Sequence, residues 1–241
     1  MAGPGDRPRH PFDLKVPMDV FSDPSNRDVY ITGFLWILKL TLAGGAGALV
    51  LGVVLAAMRV SPIPVLRGVG TAWVNIFRNT PLTLIIFFCY FGLFSTLGFS
   101  VVDDIDLNNF WLGVVGLSVY TAAFVCEAIR SGINTVPAGQ AEAARAVGMT
   151  FIQTLTIIIL PQAGRAVIAP LGSILIALCK NSTIVGTIGL MESSNAMKDL
   201  INANGNAVIP IFLVFAGTFA IVLIPTGYGF GWLANRLAVK R

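Results

Sequence analysis

Five apolar runs, each about as long as a bilayer is thick, constrain this chain more than any other feature. They cover 30–58, a stretch within 68–98, 111–130, 155–180 and 207–235. A helix needs about 20 apolar residues to cross the hydrocarbon layer. Backbone polar groups cannot be left bare in lipid, so these runs are predicted to be helices. Charge agrees: 12% of the 241 residues are charged, about half the share of an ordinary soluble domain. The fold class expected is all-α integral membrane with five spans. Pro81 falls inside the second run, Pro161 and Pro170 inside the fourth, and Pro210 and Pro225 inside the fifth. Bends are expected at Pro81, Pro161 and Pro170. Gly44, Gly45, Gly47 and Gly52 in the first run are expected to let another helix approach closely.

The distribution of basic residues predicts the orientation. Arg59 and Arg67 follow the first run. Arg130, Arg145 and Arg165 lie around the third connection, and Arg236, Lys240 and Arg241 end the chain. The connection between the second and third runs carries Asp103, Asp104 and Asp106 and no base. The positive-inside rule then puts the 59–67 turn, the 131–154 loop and the C-terminus in the cytoplasm, and the N-terminus outside. Residues 1–29 are expected to form a polar tail; with no apolar core there, no cleavable signal peptide is expected. Residues 30–241 form the transmembrane domain.

Several chemistries are excluded. The net charge of +4 comes from bases flanking apolar runs, without the basic patches interleaved with aromatics that mark nucleic-acid binding. The single histidine, His10, lies in the tail. Cys89, Cys126 and Cys179 each sit in an apolar run at no metal-ligand spacing. The phosphate-binding pattern GxxxxGK[ST] is missing. No catalytic residue, metal site or cofactor is therefore expected on this chain.

The loop "PAGQAEAARAVGMT", 137–150, is a long polar interruption between two runs. Pro137 suits a first helical turn, and Gln140 to Val147 are good helix formers. Glu142 sits near the N-terminal end, where negative charge is favoured. Ala141, Ala144 and Gly148 share one nearly smooth face. Two readings fit these residues equally: a helix made to dock into a groove, or a connector lying on the bilayer.

The spacing Glu142-Ala143-Ala144, Gly148, Ile158, Leu160-Pro161 reproduces EAA-x3-G-x9-I-x-L-P. It resembles the signature loop of permease subunits of bacterial ATP-binding-cassette importers. "FRNTPLTLIIFFCYFGL" (77–93), "CEAIRSGINTVPAGQAEAARAVGM" (126–149) and "LPQAGRAVIAPLGSILIALCKNSTIVGTIGL" (160–190) are similar to segments of the polar amino-acid branch, the histidine, glutamine and glutamate permeases. They look most like glutamate-uptake permeases of actinobacterial type. The resemblance runs from about residue 30 to the C-terminus. Asn79 stands where the family usually has Gly, and Ser182-Thr183 inverts its usual order. The resemblance implies a type I importer permease fold with a cytoplasmic coupling helix, in which Gln140, Glu142, Ala143, Ala144, Arg145 and Gly148 meet the ATPase. It implies partners: two ATPase subunits that carry ATP and Mg, a second permease subunit, and an extracytoplasmic substrate-binding protein. It places the chain in a bacterial cell membrane, importing glutamate, glutamine or aspartate. A different small solute, or an ATPase-independent channel or carrier, is the alternative.

Charges within the runs need partners, because an unpaired charge in the bilayer costs at least a few kcal/mol. Arg78 and Glu127 are expected near the same membrane face, as a structural ion pair. Lys39 is expected to snorkel. Lys180, Asn181, Ser182 and Thr183 combine a cation, an amide and two hydroxyls before Gly186 and Gly189. Polar groups beside a broken helix point to a transporter's substrate pathway. A plain helix C-cap fits the same residues equally well. Asn79 and Thr80, beside Pro81, are further pathway candidates.

Overall fold

A computed structural model describes residues 20–237. The tail expected at 1–29 lies mostly outside the described residues. Its last part, from Pro24, is already helix.

Helix α1, Pro24–Val60, starts early because Asp23 caps it, accepting from the Ser25 N–H at 2.8 Å. Its 37 residues reach about 55 Å, far more than the hydrocarbon layer. The surplus at the N-terminal end carries Tyr30 and Phe34. Both pack on a cluster formed by Val20, Ala196, Leu200, Ala207, Ile211 and Phe215.

Helix α4, Ile105–Asn134, is the centre of the bundle and the most buried span. Asp104 caps it, accepting from the Leu107 N–H. It runs parallel to α1, because one intervening span returns the chain to the acidic end. The glycines expected to bring helices together do so. A Cβ on Gly44 would sit 3.3 Å from Leu117, and one on Gly52 would sit 2.5 Å from Val125. The Ser118 hydroxyl consequently reaches across and donates to the Gly44 carbonyl at 3.2 Å.

The second run breaks at Pro81, where a kink is expected. It is two helices, α2 (Pro64–Asn79) and α3 (Leu82–Phe87, extended by the π-helical Phe88–Thr96), bent by 104°. Pro81 lacks an N–H and forces the preceding residue out of helical conformation. Thr80 is accordingly extended, at φ −98° and ψ 129°.

The fourth run is displaced. Helix α5, Ala138–Ala146, is followed by α6 (Phe151–Gln153), a π-helical turn (Thr154–Ile159), α7 (Leu160–Ala166) and α8 (Ile168–Asn181). The span is Ile168–Ile188, not 155–180. Pro161 and Pro170 sit in the first turns of α7 and α8 and not at bends within a span. A first-turn N–H has no helical partner to lose. A 3-10 segment, Ser182–Ile188, extends α8. Helix α9 (Ser193–Ala203) follows, then a 3-10 turn (Gly205–Ala207) and α10 (Val208–Leu237), with Pro225 inside it.

Four helices are long and apolar enough to span a membrane, and the bent pair makes a fifth. Among the described residues there is no β-strand. Arg59, Arg67, Arg130, Arg145 and Arg236 gather at one end of the bundle. Asp103, Asp104 and Asp106 lie at the other.

Candidate coupling and transport site

Three backbone devices in succession build the corner at 137–153. Pro137, extended at φ −57° and ψ 132°, starts α5. The helix stops in a Schellman motif: the Gly148 N–H donates to Arg145 O and the Met149 N–H to Ala144 O, both at 3.0 Å. Gly148 has φ +87°, a left-handed conformation that glycine adopts at little cost. The next helix begins two residues later with a capping box. Gln153 N–H donates to Thr150 Oγ1, and Thr150 N–H donates to Gln153 Oε1. Helix, stop and restart leave no slack residue between them.

The smooth face meets a different fate from the one expected. Ala144 is 7% exposed and Ala141 half-buried, because that side packs on the Thr154–Ile159 turn of the same chain. Gly148, on the same side, has nothing within 4 Å of the position a Cβ would take. The outward side consists of Gln140, Glu142, Ala143 and Arg145, all exposed. Gln162 Nε2 donates to Gln140 Oε1 at 2.6 Å and so fastens α5 to α7. Helix α7 in turn packs on α4, where a Cβ on Gly132 would come within 3.0 Å of the Ala163 carbonyl. Short, closely packed steps therefore connect α5 to the central helix. Gln162 was missed from sequence. The Leu-Pro-Gln run was visible, but nothing in it indicates which residue it touches.

The expected pair of Arg78 and Glu127 exists within a larger group. Glu127 Oε1 accepts most closely from Arg59, at the end of α1. Arg78 and Arg130 stand 3.8 and 3.9 Å from Oε2. The Arg59 side chain is only 10% exposed, so removing Glu127 leaves a guanidinium without its counter-charge, typically a loss of about 3–5 kcal/mol. Arg59 was counted from sequence only as an orientation signal. Its role depends on the parallel register of α1 and α4, which the glycines set. Lys39 lies over the Trp36 ring at 4.4 Å, so its stem points back along the helix toward the acidic end.

Lys180 occupies the last turn of α8 and is exposed, with no ion pair among the described residues. Asn181 is half-buried and Ser182 fully buried. The hydroxyl of Ser182 donates to Cys179 O at 2.7 Å, and that of Thr183 to Lys180 O at 2.8 Å. Thr187 does the same toward Ile184 O. These hydroxyls satisfy carbonyls where α8 tightens to 3-10, leaving their oxygens free as acceptors. Asn79 and Thr80 likewise donate to Asn75 O and Ile76 O, capping α2. The two breaks lie side by side: Leu82–Phe87 packs on Ser182–Ile188, and Leu82, Ile86, Val185 and Ile188 share one core cluster. No hydrogen bond joins Asn79 or Thr80 to the Lys180 group.

Sequence reading gave no role to Glu192. It is completely buried and caps α9, accepting from the Ser194 and Asn195 N–H groups and from the Ser194 hydroxyl. Burial raises its pKa, while those donors and Lys198 pull the other way. Asn195 Nδ2 ties the same corner to Gly186 O and Leu190 O.

Comparison with known proteins agrees with this geometry. The chain is 48% identical over 212 residues to the glutamate transport system permease protein GluC of Corynebacterium efficiens, covering 86% of this chain and 93% of that one. It is 39% identical to the probable glutamine ABC transporter permease protein GlnM of Bacillus subtilis, covering 88% and 94%. Its fold superposes with a TM-score of 0.79 on a chain from the crystal structure of an amino acid ABC transporter with histidines, at 27% identity, covering 90% and 98%. Residues 48–238 match the family described as binding-protein-dependent transport system inner membrane component. With that match over most of its length and the multi-pass helical bundle that carries it, the chain belongs to this family of importer permeases.

Proposed function

We propose that this chain is the membrane permease of an ATP-driven importer whose cargo is glutamate, in a bacterial cell membrane. The observation that carries the reading is the 137–153 corner. A short helix, closed by a left-handed glycine and fastened to α7 and α4, presents Glu142, Ala143 and Arg145 outward. Such a stiff projection suits a groove on a separate ATPase, which would hold the ATP and Mg. Two ATPase subunits, a second permease and an extracytoplasmic binding protein complete the machine. The similarity to a glutamate permease at 48% identity supports the cargo.

The basic end of the bundle faces the cytoplasm in this reading, and the N-terminus lies outside. ATP-driven closure of the ATPases shifts the permease between outward- and inward-open states, through a difference in affinity for the two. The adjoining breaks at Thr80–Pro81 and Ser182–Gly189 lie where polar groups can meet a passing amino acid. Lys180, Asn181, Thr183, Asn79 and Thr80 would supply a cation, amides and hydroxyl acceptors there, with the buried Ser182 holding the helix end behind them.

Uptake of labelled glutamate, glutamine and aspartate by a deletion strain carrying this gene tests the cargo. Glutamate uptake that is restored and competed only by its close analogues is expected. Restored uptake of another solute alone refutes it. For orientation, Asp104→Cys in a background without Cys89, Cys126 and Cys179 should be labelled from outside, and Ala144→Cys only after permeabilisation. The reverse pattern overturns the orientation and with it the docking of α5.

A further inference from the structure

We infer that the open cleft between α2 and the basic ends of α1 and α4 is a binding site for a phosphate-bearing anion, filled by the headgroup of an anionic phospholipid. The cleft holds about 610 Å³ and is lined by Arg59, Arg67, Arg130, Thr71 and Asn75 over a floor of Gly68 and Ala72. Arg78 approaches the same carboxylate as Arg59 and Arg130. Three guanidiniums, those of Arg59, Arg78 and Arg130, thus share a single carboxylate, Glu127, leaving two positive charges uncompensated, and Arg67 adds a third. Arg67 has no ion pair among the described residues. Planar guanidiniums match the oxygens of a phosphate in paired hydrogen bonds. Thr71 and Asn75 add neutral donors. Nothing lies within 4 Å of a Cβ position on Gly68, so the floor leaves room for an incoming group.

Helix α2 argues for a lipid source. It is bent 104° from Leu82–Thr96, so the two cannot both stand along the membrane normal, and we take α2 as the one that lies along the surface. It is amphipathic. Arg67, Thr71 and Asn75 recur at every fourth position and face the cleft. Val65, Val69 and Ile76 form an exposed apolar stripe beside them. Gly68 and Ala72 lie one turn from Val65, Val69 and Ile76, so the stripe begins where the cleft floor ends. A helix of this kind settles at the headgroup level with its apolar side toward the acyl chains. A lipid phosphate in the cleft would leave its chains along that stripe. The inference does not depend on the cargo or on which side of the membrane is cytoplasmic.

The test is native mass spectrometry of the full-length permease, purified with its ATPase and titrated with dioleoyl phosphatidylglycerol or dioleoyl phosphatidylcholine. The wild type should hold phosphatidylglycerol at least about tenfold more tightly. Arg67→Gln with Arg130→Gln should weaken that binding on the order of twentyfold, at roughly fivefold per guanidinium. Arg67→Gln alone should give an intermediate loss. Arg165→Gln with Arg236→Gln, which removes equal charge outside the cleft, should change it little. Arg59 is left in place because it is buried against Glu127, and size-exclusion profiles check that each variant remains folded. Equal binding of the two lipids, or undiminished phosphatidylglycerol preference in the Arg67–Arg130 double variant, overturns the inference. Displacement of the lipid by millimolar glycerol 3-phosphate overturns the lipid source and leaves a soluble phosphate ester as the ligand.

Discussion

Gly148 and Gly189 each end a helical segment in a left-handed conformation, at φ +87° and +94°, but in opposite surroundings. Gly148 closes α5 in open space. Gly189 closes the 3-10 segment against α4, where Asn109 Nδ2 lies 3.7 Å from its Cβ position and donates to the neighbouring Ile188 carbonyl. The same backbone device closes an exposed helix in one place and, in the other, a 3-10 segment that packs on α4. At Gly148 the chemistry of the surface around the turn decides the outcome of a substitution. At Gly189, where the one neighbour is Asn109 at ordinary contact distance, the left-handed backbone decides it.

The largest effect expected is on coupling. Glu142→Arg and Gly148→Asp should both remain in the membrane, lose the ATPase during purification and abolish uptake. The exposed position rules out an internal clash for Gly148→Asp, and Asp tolerates left-handed backbone better than most residues. Its damage should therefore come from charge placed in a docked surface. Gly148→Asn offers the same shape without the charge and should retain most uptake. If Asn is as harmful as Asp, conformation and not docking is responsible.

Gly189→Ala should act in the other way. The space suffices for a methyl group, but a non-glycine residue in left-handed backbone costs about 1–2 kcal/mol. Its melting temperature should fall by a few degrees while the ATPase stays attached. Loss of ATPase retention without a change in melting temperature would erase the contrast between the two glycines.

Sequence revealed the first of these sites far better than the second. The apolar runs gave the number of spans, and the EAA spacing placed α5 and its terminal glycine. The Gly44–Gly52 series marked α1 as a helix that another could approach closely, without saying which. Sequence did not reveal what depends on register. Arg59 reaches Glu127 because α1 and α4 run parallel. Ala144 turns inward because the π-helical turn doubles back beneath it. The limits of the fourth span were misread because Pro161 and Pro170 look like kinks in a string of letters. In three dimensions they start helices. Glu192 was invisible for a related reason: its partners are backbone N–H groups, which every sequence has.

A smaller effect is expected from Lys180→Met. Lys180 stands on the break that Gly189 closes, and its ammonium is unpaired among the described residues. Import requires release, so a site there should be weak. The variant should lower the uptake rate severalfold, change apparent affinity less, and keep the ATPase attached. A parental rate would make Lys180 a helix cap only.

The smallest effect is a pH dependence at the corner behind Gly189. Gly186 approaches the Glu192 carboxylate so closely that a Cβ there would collide with it, and the side chain is wholly buried. Desolvation raises its pKa above the usual carboxylate value. The fold therefore favours the protonated acid. That contribution is complete below the unfolded carboxylate's pKa and is lost as pH rises through the raised folded value. The Ser194 and Asn195 donors and Lys198 limit the shift, which makes the effect modest. Glu192→Gln keeps an acceptor for the α9 N–H groups and removes the titration. Melting temperatures measured from mildly acidic to alkaline pH should decline more in the wild type than in Glu192→Gln. Parallel curves would mean that the capping hydrogen bonds outweigh burial and that this carboxylate stays ionised throughout.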